Sequence, residues 1–238
     1  MATYSPNTFL VVYTDLPQDF KDFPNVLAYK HSRQGVLYCY DDKRFAIGKA
    51  LTKFRSVIFV DADTRIFSPV PDNIEWPPGI VCEGFVKILE HPPNQRDPAR
   101  HQSIQELAKK LDVCLDETSW IHENLFVITR DGGKEQEFIK QWGRVGRYFE
   151  IKGVNTKDGN PIGLAVAKVG WTVTNDRWDE LNKIREHTFI HWELEAEQKI
   201  LTFWDKVNRK LQVDRWKREY RLLKARLMTL QDLDFYYH

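Results

Sequence analysis

Ser56-Val57-Ile58-Phe59-Val60-Asp61-Ala62-Asp63-Thr64 decides the reading of this chain. Val57 to Val60 is wholly apolar, as in a buried strand, and two carboxylates arrive at its carboxyl end. Residues i and i+2 of an extended chain point to the same side, so Asp61 and Asp63 can approach one cation together. The carboxyl ends of strands in open α/β sheets are where ligands bind. Carboxylate oxygens are hard donors that suit Mn2+ or Mg2+. Two of them leave coordination positions for diphosphate oxygens, whose developing charge a metal neutralises. The bland alternative is a strand whose terminal aspartates cap a turn.

Outward from this stretch the first half alternates strands and helices. Thr8 to Thr14 and Asn25 to Tyr29 read as strands, Lys43 to Phe54 as a helix, and Leu125 to Thr129 as a later strand. Such alternation predicts a mostly parallel sheet covered by helices. Prolines at 69, 71, 77 and 78, and again at 92, 93 and 98, predict two loops around a strand within Gly79 to Val86. Ser103 and Glu106 match a capping box and predict a helix start. Helices are expected from Lys134 to Tyr148 and from Asn160-Pro161, with Asn160 as N-cap. Trp171 to Thr174 and Thr188 to Trp192 read as late strands. His191, at the end of the latter, is a candidate nitrogen ligand for a mixed site, with His187 as its fallback and a hydrogen-bonded core histidine as the alternative.

The chain has 238 residues, 35 basic and 34 acidic, for a net charge of +1. That balance argues against bulk nucleic-acid binding. No apolar run approaches the roughly 20 residues of a membrane span. Met1 to Thr8 lacks a signal pattern, and Cys39, Cys82 and Cys114 form no close pair. A soluble, reduced, cytoplasmic protein is expected. The division expected is a catalytic domain over residues 1–192 and a helical extension over 193–238. In the extension, Trp216, Tyr220, Leu223, Leu227 and Leu230 make a heptad-like stripe, expected to face inward against the domain or a second copy. Homo-oligomerisation through these helices is one expectation, and peripheral contact of the basic face with anionic lipid another. The aromatic content of 13% reads as core filling, or as rings facing a flat substrate.

Ala46 to Phe67, through Asp61-Ala62-Asp63-Thr64, resembles the DxD segment of GT-A fold glycosyltransferases, with the nearest likeness to the retaining, glycogenin-like family. The resemblance implies a Rossmann-like α/β domain that moves a sugar from a nucleoside diphosphate donor, UDP-glucose or UDP-galactose, to an acceptor the sequence does not name. It implies Mn2+ or Mg2+ held by Asp61, Asp63 and His191. Asp61 and Ala62 would also lie against the donor, and Arg44 would pair with its phosphate. Lys43 and Lys49 read as a solvated helix face. Trp120 to Phe126 resembles a middle element of the family and offers Glu123 and Asn124. Asp158-Gly159-Asn160 resembles another and offers Asp158 and Asn160, so Glu123 and Asp158 are the expected catalytic acids. Tyr13, Thr14 and Asp15 would contact the base if Val11 to Asp15 serves as the first strand of the fold; otherwise the usual first unit is missing. The chain departs from the family after His191, where no Gly or Lys-Pro-Trp follows. Two other readings stand beside this one. One is a non-catalytic or hydrolytic nucleotide-sugar-binding protein. The other is a phosphatase of the haloacid dehalogenase type, whose D-x-D-x-T pattern has Arg65 where threonine is required.

Overall fold

The computed structural model describes residues 3–36, 40–62, 64–71, 74–154, 156–176, 178–187 and 213–237. Asp63, His191 and the whole expected strand Thr188 to Trp192 lie outside the described residues.

The architecture is mixed α/β. Its central sheet holds β3 (Ser56–Val60), β8 (Leu125–Thr129) and β5 (Gly79–Cys82) in the order β3-β8-β5. Every residue of β8 is buried, as an unbroken apolar run covered on both faces requires. Alternate residues face opposite ways. Phe126 and Ile128 meet Phe138 and Trp142 of α4 (Lys134–Lys152), Ile162 of α5 (Gly159–Lys168), and Ile47 and Leu51 of α1 (Lys43–Leu51). Leu125 and Val127 meet Trp76 and, from α6 (Trp178–Asn182), Trp178 and Leu181. With Trp171, which joins the first of these clusters, four of the six described tryptophans are buried in the core.

The expectation of a mostly parallel sheet needs correction. β1 (Leu10–Thr14) and β2 (Val26–Lys30) do pair in parallel, but β3 and β5 both run antiparallel to β8. The reason lies in the chain between β5 and β8. β6 (Phe85–Lys87) pairs antiparallel with β7 (Ser119–Ile121), and His122 N donates to Gly84 O across the break. β5-β6 and β7-β8 are therefore two arms of one long hairpin, and hairpin arms are antiparallel. The helices at its tip, α2 (Pro92–Arg96) and α3 (Pro98–Leu111), correct two further expectations. Pro92 and Pro93 open a helix where a loop was expected, since proline suits the first helical positions. Asp97, accepting from Ala99 N and Arg100 N, caps α3 six residues ahead of Ser103. Ser103 instead lies inside the helix, donating to Ala99 O at 2.8 Å. Trp171 to Thr174 forms only a single bridge, Val81 to Thr174.

β1 and β3 both pack on α1, yet no ladder joins them among the described residues. A cavity of about 540 Å3 lies between them, lined by residues such as Leu10, Val11, Val57, Phe59 and Trp76. Beyond it, β4 (Thr64–Ile66) pairs antiparallel with β9 (Arg185–His187), placing His187 opposite Thr64.

α5 lies directly on β7. A Cβ on Gly163 would overlap the Ser119 carbonyl oxygen, and one on Gly159 would come within 2.6 Å of Ile121 O. These two glycines, one turn apart, let helix and strand backbones touch. Gly163→Ala is expected to cost about 1–3 kcal/mol through overpacking, read as a lower urea midpoint; an unchanged midpoint would show that the strand simply moves aside. The C-terminal segment, α7 (Val213–Met228) and α8 (Leu233–Tyr237), returns to α4. Arg144 Nη2 meets Asp232 Oδ2 at 2.7 Å, the Arg144 guanidinium covers the Phe235 ring at 3.7 Å, and Phe235 packs on Tyr148.

Candidate functional site

The sharp turn after β3 positions Asp61. Its backbone N donates to Asn124 O at 3.1 Å, and its carbonyl accepts from Thr64 N at 3.0 Å. Asn124 thus ties the end of β3 to the start of β8, and Glu123 stands one residue earlier, after β7. The close approach of α5 to β7 brings Asp158, the residue before that helix, to the same place. Four chain segments meet there, and Lys43 at the first turn of α1 is their centre. Lys43 Nζ lies 2.9 Å from Asp61 Oδ1 and 3.4 Å from Asp158 Oδ2, and 4.9 Å from the centre of the Phe59 ring.

The electrostatics are those of one cation among acids. Burial pushes the Asp158 carboxyl up to about 7, against the lowering effect of Lys43, with Glu123 and Asp61 adding to the rise. Burial alone would lower the Lys43 ammonium, but Asp158 and Asp61 more than reverse this and hold it above its ordinary value. Asp158 is 0% exposed; its Oδ2 is met by the Lys43 ammonium, while its Oδ1 and Glu123 Oε2 have no hydrogen-bond partner. Such orphaned buried acceptors are costly, and they cluster at functional sites when they also perturb pKa values. The part-exposed members are Asp61 and Lys43, so the cluster opens to solvent at their side. Asp158, expected as a catalytic acid, is sealed behind Lys43.

The remaining expected residues are distributed as follows. Ala62 is exposed in the turn after Asp61. Tyr13 stands at the carboxyl end of β1 with its ring centre 4.9 Å from His31, which in turn stacks on Phe45 at 5.3 Å. Thr14 Oγ1 accepts from Leu16 N, and Asp15 beside it is exposed. His31 N donates to Thr14 O, and the His31 ring meets Asp42, the neighbour of Lys43. These rings therefore join the start of α1 through Asp42 and Phe45. Arg44 turns the other way. Its guanidinium stacks on Phe45 at 3.8 Å and covers Gly143 of α4, where a Cβ would approach it to 2.6 Å. Asp41 lies over Gly146 of the same helix. Burial, then Asp158 and Glu150, raise its carboxyl well above the ordinary range, against Arg44 and Arg147. A cavity of about 20 Å3 between Asp41, Glu150 and Asp158 has room for one water.

Asn160 is not the N-cap of α5, which starts at Gly159. Its amide exchanges two hydrogen bonds with Asn94, at 2.7 and 2.9 Å, and is 0% exposed. Asn160 therefore locks α5 to α2, and its expected place against substrate gives way to that role. Lys43 is the residue sequence reasoning passed over. A signal for it existed: an ammonium at a helix N-terminus opposes the helix dipole, so a lysine there calls for acids nearby.

Of the expected metal ligands, Asp61 alone is described. Among the described residues no three His, Cys, Asp or Glu side chains gather closely enough to hold a metal ion. The Asp61 oxygens are donors of the hard kind that Mn2+ or Mg2+ takes, and β9 runs beside β4 toward the segment that carries His191.

Neither the family models nor the curated proteins contain a match to this chain. Among solved structures, the apo form of WbbM, a bifunctional glycosyltransferase, aligns with 15% identity and a TM-score of 0.36, covering 67% of this chain and 30% of that one. The chain thus spans less than a third of that protein's length.

Proposed function

We propose that this chain is a metal-dependent glycosyltransferase that takes a sugar from a nucleoside diphosphate donor of the UDP-hexose kind. The observation that carries the reading is the convergence of Lys43, Asp61, Glu123 and Asp158, from four separate segments, at the carboxyl end of β3. The likeness of Ala46 to Phe67 to the DxD segment supports it. Asp61, with Asp63 and His191, is the proposed ligand set for Mn2+ or Mg2+, which when bound supplies a Lewis acid for the diphosphate. Lys43 provides a fixed positive charge at the same edge, where negative charge grows as the diphosphate departs. Glu123, at the edge of the same cluster, is the proposed acceptor of a hydrogen bond from a sugar hydroxyl. Asp158 acts through Lys43: it holds the ammonium in position. The Tyr13, His31 and Phe45 rings, tilted against one another near the start of α1, are the proposed contacts of the base.

The test is a panel of nucleotides and nucleotide sugars, with and without Mn2+, read by thermal shift and by release of the nucleoside diphosphate. Mn2+-dependent stabilisation by UDP is expected, and at a ligand concentration 100 times Kd it amounts to about 2.7 kcal/mol. Asp63→Ala is expected to abolish it while leaving the unliganded melting temperature unchanged. Donor binding without turnover would point to the non-catalytic binder. UDP binding that ignores a chelator would remove the metal, and no nucleotide binding at all would sink the assignment.

A further inference from the structure

α7 carries apolar residues on two opposite faces. Leu222 is half-buried and Ala225 is 0% exposed; this face packs on α4, and Asp232 in the turn that follows anchors it through the Arg144–Asp232 pair. The heptad-like stripe, expected to point inward, points out. Trp216, Tyr220, Leu223 and Leu227 are 73%, 70%, 56% and 58% exposed, and Leu230 in the following turn is 52% exposed. At helical spacing Trp216, Tyr220, Leu223 and Leu227 fall within an arc of about 60°. Lys217, Arg221 and Lys224 border that arc on one side, and Glu219, Arg226 and Arg215 on the other. The helix holds six basic and two acidic residues, a net +4, in a chain whose total is +1.

We infer that the outward face of α7 docks on an anionic lipid bilayer, lying in the plane of its surface. Charge decides for this occupant. A helix of net +4 on an otherwise negative molecule is complementary to an acidic headgroup layer, whereas a second copy laid antiparallel on it would set Lys217 of each copy against Lys224 of the other. The side chains suit the headgroup boundary as well. Apolar residues enter the acyl region, tryptophan and tyrosine settle at the interface, and lysine and arginine stems rise along the stripe to reach phosphate. Among the described residues no helix is long and apolar enough to cross a membrane, so the contact is one of surface immersion. Because α7 is fixed to α4 by its other face, docking would hold the whole molecule to the surface in one orientation.

The experiment is co-sedimentation of the full chain with vesicles of phosphatidylcholine alone or with phosphatidylserine added at about 30%. Pelleting with the anionic vesicles, reversed by salt and absent with phosphatidylcholine alone, is expected. Leu223→Asp with Leu227→Asp is expected to abolish pelleting without lowering the melting temperature, because both side chains are already in water. Lys217→Gln and Lys224→Gln should each weaken vesicle affinity about fivefold. Absence of pelleting, or pelleting that survives the two aspartates, overturns the proposal. So does a dimer in sedimentation velocity that those aspartates dissolve, since it would assign the face to a second copy.

Discussion

Lys43→Met is expected to lose roughly 3–5 kcal/mol of stability at pH 8, the usual cost of stranding buried charges by removing their partner. Methionine keeps an unbranched apolar stem one atom shorter, so the loss reports the charge, its contact with the Phe59 ring included. Without the ammonium, Asp61, Glu123 and Asp158 face one another uncompensated. The sign with pH is set by Asp158. Its carboxyl, already raised to about 7, would rise further once Lys43 stops lowering it. At pH 5 it is then protonated in the folded protein, the repulsion falls, and the variant should recover much of the deficit. Urea unfolding at the two pH values provides the comparison. An equal loss at both would mean that Lys43 contributes packing alone, and would remove the electrostatic account of the site.

Asp158→Asn is expected to act in the opposite direction on stability. A buried carboxyl raised from 3.8 to about 7 binds protons more tightly folded than unfolded, so stability falls as pH climbs between those values. The asparagine cannot ionise and escapes that fall. At pH 8 the variant should be the more stable protein by on the order of 4 kcal/mol, and the gain should shrink below pH 7 and vanish near pH 4. Activity should move the other way. With Asp158 neutral, Lys43 loses one of its two anchors, and a small misplacement of a charge that stabilises the departing diphosphate costs about 100-fold in rate. Parallel pH-stability curves for the two proteins would contradict the burial argument. Gain of stability without loss of turnover would show that the position of Lys43 is indifferent to catalysis.

Much of this arrangement was legible in the chain, and the illegible parts share a cause. β3 and β8 were readable because both are short, wholly apolar runs with punctuation at each end. The position of Asp61 at the end of β3 was readable because the apolar run stops there. The antiparallel course of β8 was not, because strand direction depends on where the hairpin arms β6 and β7 meet, tens of residues apart in sequence. Pro92 and Pro98 misled for a related reason: proline breaks a helix from inside and starts one from its first turn, and only the position of Asp97 separates the two cases. Lys43 and Arg44 differ by one step in sequence and by about 100° around α1, which sends one to the acids and the other over Gly143. Asn160 was claimed by a partner, Asn94, that nothing near it in the chain announces.

The gap between β1 and β3 sets where this molecule can give. β1 and β2 share no ladder bond with β3, β8 and β5 among the described residues and lean on α1 for their attachment. They can loosen as a unit while the buried run of β8 keeps every one of its bonds. The Tyr13 and His31 rings belong to that yielding half, and Asp61 and Glu123 belong to the rigid one. Small tilts of one half against the other would therefore change the width of the cavity between β1 and β3 and leave those two carboxylates where they are.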